Sequence, residues 1–304
     1  MGKSLKILIN RKPVVGPWGG GNLFVKAFCE VLKNQGANVV HNIQNDIDII
    51  FMQDPRPGDT GISINEILLY KESNPRTKII HRVNECDSRK GTNGLDDLLQ
   101  KCSAHTDFTV FVSGWMRDYH ISRGWFCKNS EVIYNGVNLD HFKSREKLNN
   151  GKINIVTHHW SNNRMKGFDV YEAIDRFVED NQEFTFTYIG RELGTFKSTS
   201  IIEPKFGIEL GKELSKYDVY ISGSLFDPGP NHILESLACE IPTYVLDKGG
   251  GAVEFAGESH SVSSVANIIE LLKNKSFSKN TSIAPYSWNS CISRYRKVFT
   301  EITQ

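Results

Sequence analysis

Phe226-Asp-Pro-Gly-Pro-Asn-His-Ile-Leu-Glu-Ser-Leu-Ala-Cys-Glu-Ile-Pro-Thr-Tyr-Val245 places a turn, a helix start, a carboxylate within that helix and a following strand in one unit. Pro228, Gly229 and Pro230 cannot continue an element, and they set up a helix beginning near Pro230, where a missing N–H costs nothing. Leu234, Leu237, Ala238 and Ile241 recur at helical spacing and form a buried stripe. Asn231 and Glu235 stand four apart on a different face, near the positive end of the helix. Such an end offers free backbone N–H groups and a favourable field for phosphate. A carboxylate one turn further in can accept from sugar hydroxyls, so the segment suits a nucleoside diphosphate. The plainer reading is an amphipathic helix with solvated carboxylates.

Working outward, strand-like apolar runs alternate with helical patterns, which predicts an α/β protein with largely parallel sheets. The first half carries strands near Lys6–Asn10, Asn38–His41, Ile47–Met52, Lys78–His81, Phe108–Val112 and Glu131–Tyr134. A second series follows at Ile153–Thr157, Phe184–Ile189, Asp218–Ile221 and Thr243–Leu246, with helices near 167–180, 207–216, 230–240 and 262–273. Residues 142 to 152 are polar and end in Asn-Asn-Gly-Lys, which reads as a linker between two domains. A chain of 304 residues fits two domains. Its net charge of +1 argues against a nucleic-acid partner, which needs a basic field. The cysteines at 29, 86, 102, 127, 239 and 291 form no Cys-x-x-Cys pair and read as free thiols in a reducing compartment. No apolar run approaches a membrane span, so a cytoplasmic protein is expected.

Four further segments carry chemistry. Gly16-Pro-Trp-Gly-Gly-Gly-Asn22 follows the first strand and exposes N–H groups, although it is not the Gly-x-Gly-x-x-Gly dinucleotide fingerprint. His81-Arg-Val-Asn-Glu-Cys-Asp87 ends a strand, where open α/β sheets place ligands. Thr157-His-His-Trp-Ser-Asn-Asn-Arg-Met-Lys-Gly-Phe-Asp169 brings Arg164 and Lys166 to the second series. Its adjacent histidines point apart in a strand and have no partner at zinc spacing, so no metal site is expected. Ser130-Glu-Val-Ile-Tyr-Asn-Gly-Val-Asn-Leu-Asp-His-Phe142 closes the first series, and Ser113 reads as a helix cap.

Asp227 and Glu235, with seven residues between them and Gly249-Gly-Gly-Ala-Val-Glu254 downstream, resemble the donor signature Glu-x7-Glu of retaining GT-B glycosyltransferases, family 4. The segment from Ser130 to Phe142 resembles that family's junction between domains, and Lys166-Gly167 resembles the end of its Gly-Arg-x4-Lys-Gly motif, with Ser161 at the Arg position. The resemblance implies a GT-B fold of two Rossmann-like parallel-sheet domains facing a central cleft. Residues 1–147 would form the acceptor domain, 148–286 the donor domain and 287–304 a helix crossing back to the first domain. Closure would hinge at 142 to 152.

The resemblance further implies transfer of a sugar, with retained configuration, from a UDP- or GDP-sugar to an acceptor hydroxyl in glycan, polysaccharide or glycolipid synthesis. It implies no metal and no other cofactor. His81, Lys166, Arg164 and Asp227 would act at the reacting centre. Gly20, Gly21, Gly190, Asn231, Glu235, Gly250, Gly251 and Glu254 would bind the donor, and Asn84 and Asp87 the acceptor. A carbohydrate or lipid-linked acceptor is compatible with peripheral attachment to the cytoplasmic face of a membrane. The alternative is a non-catalytic nucleotide-sugar or glycan binding protein with a degenerate site. A nicotinamide oxidoreductase would need the glycine fingerprint and the acid after the second strand, and both are missing.

Overall fold

The computed structural model describes residues 4–16, 19–58, 61–280 and 286–304. It divides into one unit of Met1–Gly136 with Trp288–Gln304, and a second of Val137–Ser287. The first contains β1 (Lys6–Ile9), α1 (Gly20–Asn34), β2 (Asn38–Val40), β3 (Ile49–Met52), α2 (Ile64–Ser73), β4 (Lys78–Val83), α3 (Asp87–Lys90), α4 (Leu95–Ser103), β5 (Phe108–Phe111), α5 (Gly114–Ile121) and β6 (Ser130–Val132). The strands form a six-stranded parallel sheet in the order β2-β1-β3-β4-β5-β6. The central strands Ile49–Met52 and Phe108–Phe111 are buried throughout, as a parallel sheet covered on both faces requires.

One face is closed by α1 and the C-terminal helix, Trp288–Thr303. Phe24, Phe28 and Phe51 interlock there with Trp288, Tyr295 and Phe299, so the last helix completes the first unit's core. Into this core β4 projects Arg82, which is 2% exposed. Its guanidinium lies 3.7 Å over the Phe24 ring and donates to Tyr295 Oη (3.2 Å), Gln53 Oε1 (3.1 Å) and Asn135 Oδ1 (2.5 Å). These neutral acceptors tie the terminal helix to the strand ends and give Asn135 an architectural task.

The second unit contains β7 (Ile153–His159), a 3-10 turn (Arg164–Lys166), α6 (Phe168–Asp180), β8 (Phe184–Gly190), β9 (Ser200–Ile202), α7 (Gly207–Leu214), β10 (Val219–Ser222), α8 (Asn231–Ala238), β11 (Thr243–Leu246), α9 (Gly251–Ala256), β12 (Ser261–Val262) and α10 (Val265–Asn274). Its six parallel strands run β12-β11-β10-β7-β8-β9. The short edge strands β9 and β12 carry no signal in sequence beyond a few apolar residues. The stretch 142 to 152, read as a linker, belongs to this unit. Phe142 is buried, Leu148 N–H donates to the Lys216 carbonyl (2.8 Å), and Asn150 bonds Asn154 (3.0 Å). The stretch is exposed for most of its length but anchored to its own domain by these contacts, and the division between units falls after Gly136.

Tyr295→Phe removes the acceptor for Arg82 Nε while keeping the ring. A buried charged donor left short of a partner costs about 1–3 kcal/mol. The first unit's thermal midpoint is therefore expected to fall by several degrees, measured by calorimetry or far-UV circular dichroism.

Candidate functional site

In the second sheet β7 comes first in the chain but lies in the middle. The chain leaves it through β8 and β9 on one side, then returns to β10 on the other. Strand connections therefore diverge at the carboxyl ends of β7 and β10, the crevice where open α/β sheets bind ligands. β7 ends in His158 and His159, and β10 ends in Ser222, followed by Gly223 and Ser224. Asp227 and α8 follow directly.

Asn231 opens α8 after Pro230, which has no side-chain cap to offer, and every residue from His232 to Ala238 is buried. The solvated carboxylates of the plainer reading are not found on this helix, because both of its sides are packed. Glu235 is 8% exposed and meets His158 Nε2 at 2.8 Å. Tyr220 Oη lies 3.1 Å from His158 Nδ1 and accepts from the His158 backbone N–H at 3.2 Å. Burial raises the Tyr220 pKa well above its ordinary value, so this hydroxyl keeps its proton. His159 points to the opposite face and meets Tyr171 Oη at 2.5 Å, and that hydroxyl also accepts from Gly223 N–H (3.0 Å). His232 Nε2 meets Ser222 Oγ at 2.9 Å, and its ring centroid lies 4.8 Å from that of His159. Among the described residues no group of three His, Cys, Asp or Glu side chains could hold a metal ion.

Lys166 Nζ pairs with Asp227 Oδ2 at 3.2 Å across the same edge. The backbone directs this contact. Asn163 Oδ1 caps the 3-10 turn at Met165 N–H (2.8 Å), and Gly167 leaves it at φ 95°, left-handed. A Cβ on Gly167 would overlap the Gly223 carbonyl, so only glycine fits there. Asp227 N–H donates to the Gly249 carbonyl (3.1 Å) and Gly251 N–H to the Asp227 carbonyl (2.8 Å), which bridges Asp227 to Gly250. Gly251 starts α9, and part-buried Glu254 lies in its first turn. Lys166, Asp227, Asn231, Glu235, Gly250 and Gly251 are thus drawn around one strand edge. Arg164 is not among them: its guanidinium, 65% exposed, pairs with Asp169 (3.0 Å) and Glu172 (4.0 Å).

Gly190 closes β8 at φ 137°, where a Cβ would collide with the His159 carbonyl. Just beyond, the Arg191 guanidinium stacks 4.0 Å over the Trp160 ring. Buried Asp175 on α6 pins the following loop, accepting from the N–H groups of Lys197 (3.0 Å), Ser198 (2.9 Å) and Thr199 (2.8 Å) and from the Thr199 hydroxyl (2.5 Å). Trp160, Arg191, Asp175, Tyr220 and His232 were not singled out from sequence. Among these, Trp160 has a nearby signal in sequence, because it follows the adjacent histidines at the strand end.

In the first unit the strand order reverses between β1 and β3. Gly20 and Gly21 open α1 there, with the amides of Gln53 and Asn84 nearest the position of a Gly21 Cβ. Pro17 and Trp18 of that loop lie outside the described residues. Asp87 accepts from Thr92 Oγ1 (2.7 Å), Leu95 N–H (3.2 Å) and Asp96 N–H (3.0 Å), joining α3 to α4. His81 is 0% exposed, stacks on Trp125 and has no hydrogen-bond partner on either ring nitrogen. Burial, reinforced by His120, pushes its pKa down to about 3, so the ring is neutral and walled off from solvent. Burial also raises the thiol pKa of every cysteine, and all six are free.

No protein-family model matches the sequence, and no curated protein does either. Solved structures do resemble the fold. Sucrose-phosphate synthase from Thermosynechococcus elongatus is 13% identical with a TM-score of 0.69, over 99% of each chain. HepE of Anabaena, solved with UDP and glucose, is 12% identical with a TM-score of 0.71, over 98% of this chain and 100% of its own. WaaG, a glycosyltransferase involved in lipopolysaccharide biosynthesis, is 10% identical with a TM-score of 0.64, over 98% and 94%. The chain has the GT-B fold of two Rossmann-like parallel-sheet domains.

Two outcomes test this geometry. Gly167→Ala forces a side chain into the Gly223 carbonyl at a left-handed backbone. It is expected to cost at least about 2 kcal/mol by chemical denaturation, with the turn carrying Lys166 displaced. Asp175 is a pH test. Burial alone would raise its pKa, but the Thr199 hydroxyl and three backbone N–H groups outweigh it and hold the pKa below the ordinary value. A lowered folded pKa contributes stability above the unfolded value of about 4, and this is lost as pH falls through the folded value. The stability gap between wild type and Asp175→Asn should be widest near pH 7 and close below about pH 4.

Proposed function

We propose that this protein is a retaining, metal-independent glycosyltransferase that moves a sugar from a UDP- or GDP-sugar to an acceptor hydroxyl. The observation that carries the reading is the convergence of Lys166, Asp227, Glu235 and the α8 N-terminus on the switch point of the second sheet. A nucleotide sugar presents a ribose diol, a diphosphate and a hexose, and this edge offers a carboxylate, a cation and N–H groups, and a second carboxylate. HepE, a neighbour of the same fold, was solved with UDP and glucose, and another of its structures holds UDP-glucose.

As the bond between sugar and diphosphate breaks, negative charge grows on the leaving oxygen. A fixed cation such as Lys166 favours that state over the ground state. Asp227 holds the ammonium in place beforehand, and an arriving diphosphate shares or displaces this contact. The acceptor is a carbohydrate or a lipid-linked carbohydrate. Among the described residues no helix is long and apolar enough to cross a membrane, so a lipid-linked acceptor would be met at the membrane surface. One observation favours a non-catalytic nucleotide-sugar binding protein instead: Arg164 is committed to Asp169 and Glu172.

Thermal unfolding with UDP, GDP, ADP, CMP and NAD, each with and without EDTA, tests the reading. At a hundredfold excess over Kd a ligand of the folded state stabilises it by about 2.7 kcal/mol. UDP or GDP is expected to raise the midpoint regardless of EDTA, and Lys166→Ala should abolish most of the shift. Slow hydrolysis of the matching nucleotide sugar, followed by mass spectrometry, separates enzyme from binding protein. Silence with every nucleoside diphosphate rejects both.

A further inference from the structure

We infer that His158 is a positioning residue for ribose recognition: it fixes Glu235 so that the carboxylate can grip the hydroxyls of a ribonucleoside diphosphate. The inference rests on the donor-site reading above and assigns a task to a residue outside the proposed reacting groups.

The geometry places a proton on the ring nitrogen that faces Glu235. An ionised carboxylate accepts only, so the 2.8 Å contact with Glu235 Oε2 requires the proton on His158 Nε2. Nδ1 faces Tyr220 Oη at 3.1 Å, and that hydroxyl also lies 3.4 Å from the His158 carbonyl oxygen. Tyr220 in turn accepts from the His158 backbone N–H at 3.2 Å, which locks the phenol to the strand that carries the imidazole. The contacts run from Tyr220 through His158 to Glu235. His158 is 7% exposed and edged by the rings of Tyr220 and His232 at 5.5 and 6.1 Å, so it has little room to turn. Its backbone is held within β7, paired to β8 and β10 on either side.

For Glu235 the consequence is orientation. The carboxylate stands in a helix packed on both sides, and His158 occupies one of its roughly four acceptor directions. The remaining directions are left for a ligand, with no side-chain rotation needed on binding. A vicinal diol, two adjacent O–H donors, matches a carboxylate held in this way, and ribose supplies one. A deoxyribose has lost one of the two donors. Replacing His158 by an apolar residue would leave Glu235 buried without this partner and free to swing, and both affinity and the distinction between ribose and deoxyribose should suffer.

The test compares Kd values for UDP, 2′-deoxy-UDP and 3′-deoxy-UDP by calorimetry, with the three guanine counterparts alongside. Wild type, His158→Gln and His158→Leu are each measured. Wild type should prefer the ribonucleotide over the weaker deoxy analogue by about tenfold or more. His158→Leu should bring that ratio close to one, and His158→Gln, whose amide can still donate to Glu235, should restore most of it. A general loss of packing would weaken all three ligands equally and leave the ratio unchanged, and that outcome overturns the inference while the donor site stands. Wild type that binds no nucleoside diphosphate sinks the donor-site reading and this assignment together. Should the leucine variant fail to fold, imidazole nitrogen NMR on the wild type decides: a protonated Nε2 on His158 supports the inference, and a bare Nε2 overturns it.

Discussion

The pairing of β7 with β10 is the constraint on which the second unit's chemistry depends. These strands are far apart in sequence, yet Val219 lies beside Ile155 and Tyr220 beside Val156. Because β8 and β9 lie on the other flank, the loops leaving β7 and β10 turn away from each other and open a crevice between them. The same register sets Tyr220 against the backbone of His158. Two glycines let the walls approach: Gly167 faces Gly223 where no side chain would fit, and Gly190 lies against the carbonyl of His159. With those contacts made, Lys166 and Asp227 meet across the edge, as do His158 and Glu235.

Polar groups at this edge are arranged in pairs because burial makes an unpaired one costly. Glu235 has an imidazole, His159 a phenol and His232 a hydroxyl. The first unit answers the same problem differently. Arg82 is held by a phenol, two amide oxygens and an aromatic face, with the C-terminal helix supplying the phenol. That helix is far from β4 in sequence and still forms part of the same core. Buried carboxylates such as Asp175 act as fasteners for loops, accepting from backbone N–H groups and a hydroxyl.

Much of the architecture was legible in the chain itself. Ile49–Met52 and Thr243–Leu246 are continuous runs of apolar or β-branched residues, and the alternation of such strands with helical patterns indicates parallel sheets. Helix α8 was legible because Pro228, Gly229 and Pro230 leave the chain one place to begin it. Three kinds of feature were not. Edge strands of two or three residues, β9 and β12, carry too little pattern to register. The polar stretch at 142 to 152 looked like a linker because composition cannot show whether an asparagine bonds water or a neighbouring strand. His81 was read as a strand end, where ligands gather, but β4 runs on to Val83 and the face His81 took is the one covered by Trp125.

By itself the sequence determined the fold class, the order of elements and the segments bearing carboxylate, lysine and glycine, because periodicity and turn chemistry are local and each is written in a few neighbouring residues. Only the tertiary structure decided which of those groups meet. His158 and Glu235 are 77 positions apart and Lys166 and Asp227 are 61 apart. Arg164, two places from Lys166, turned instead to Asp169. Spacing along a chain limits which side chains can lie on one face of an element, while contact across a sheet edge depends on strand order and on the closeness of backbones, which many distant residues set together.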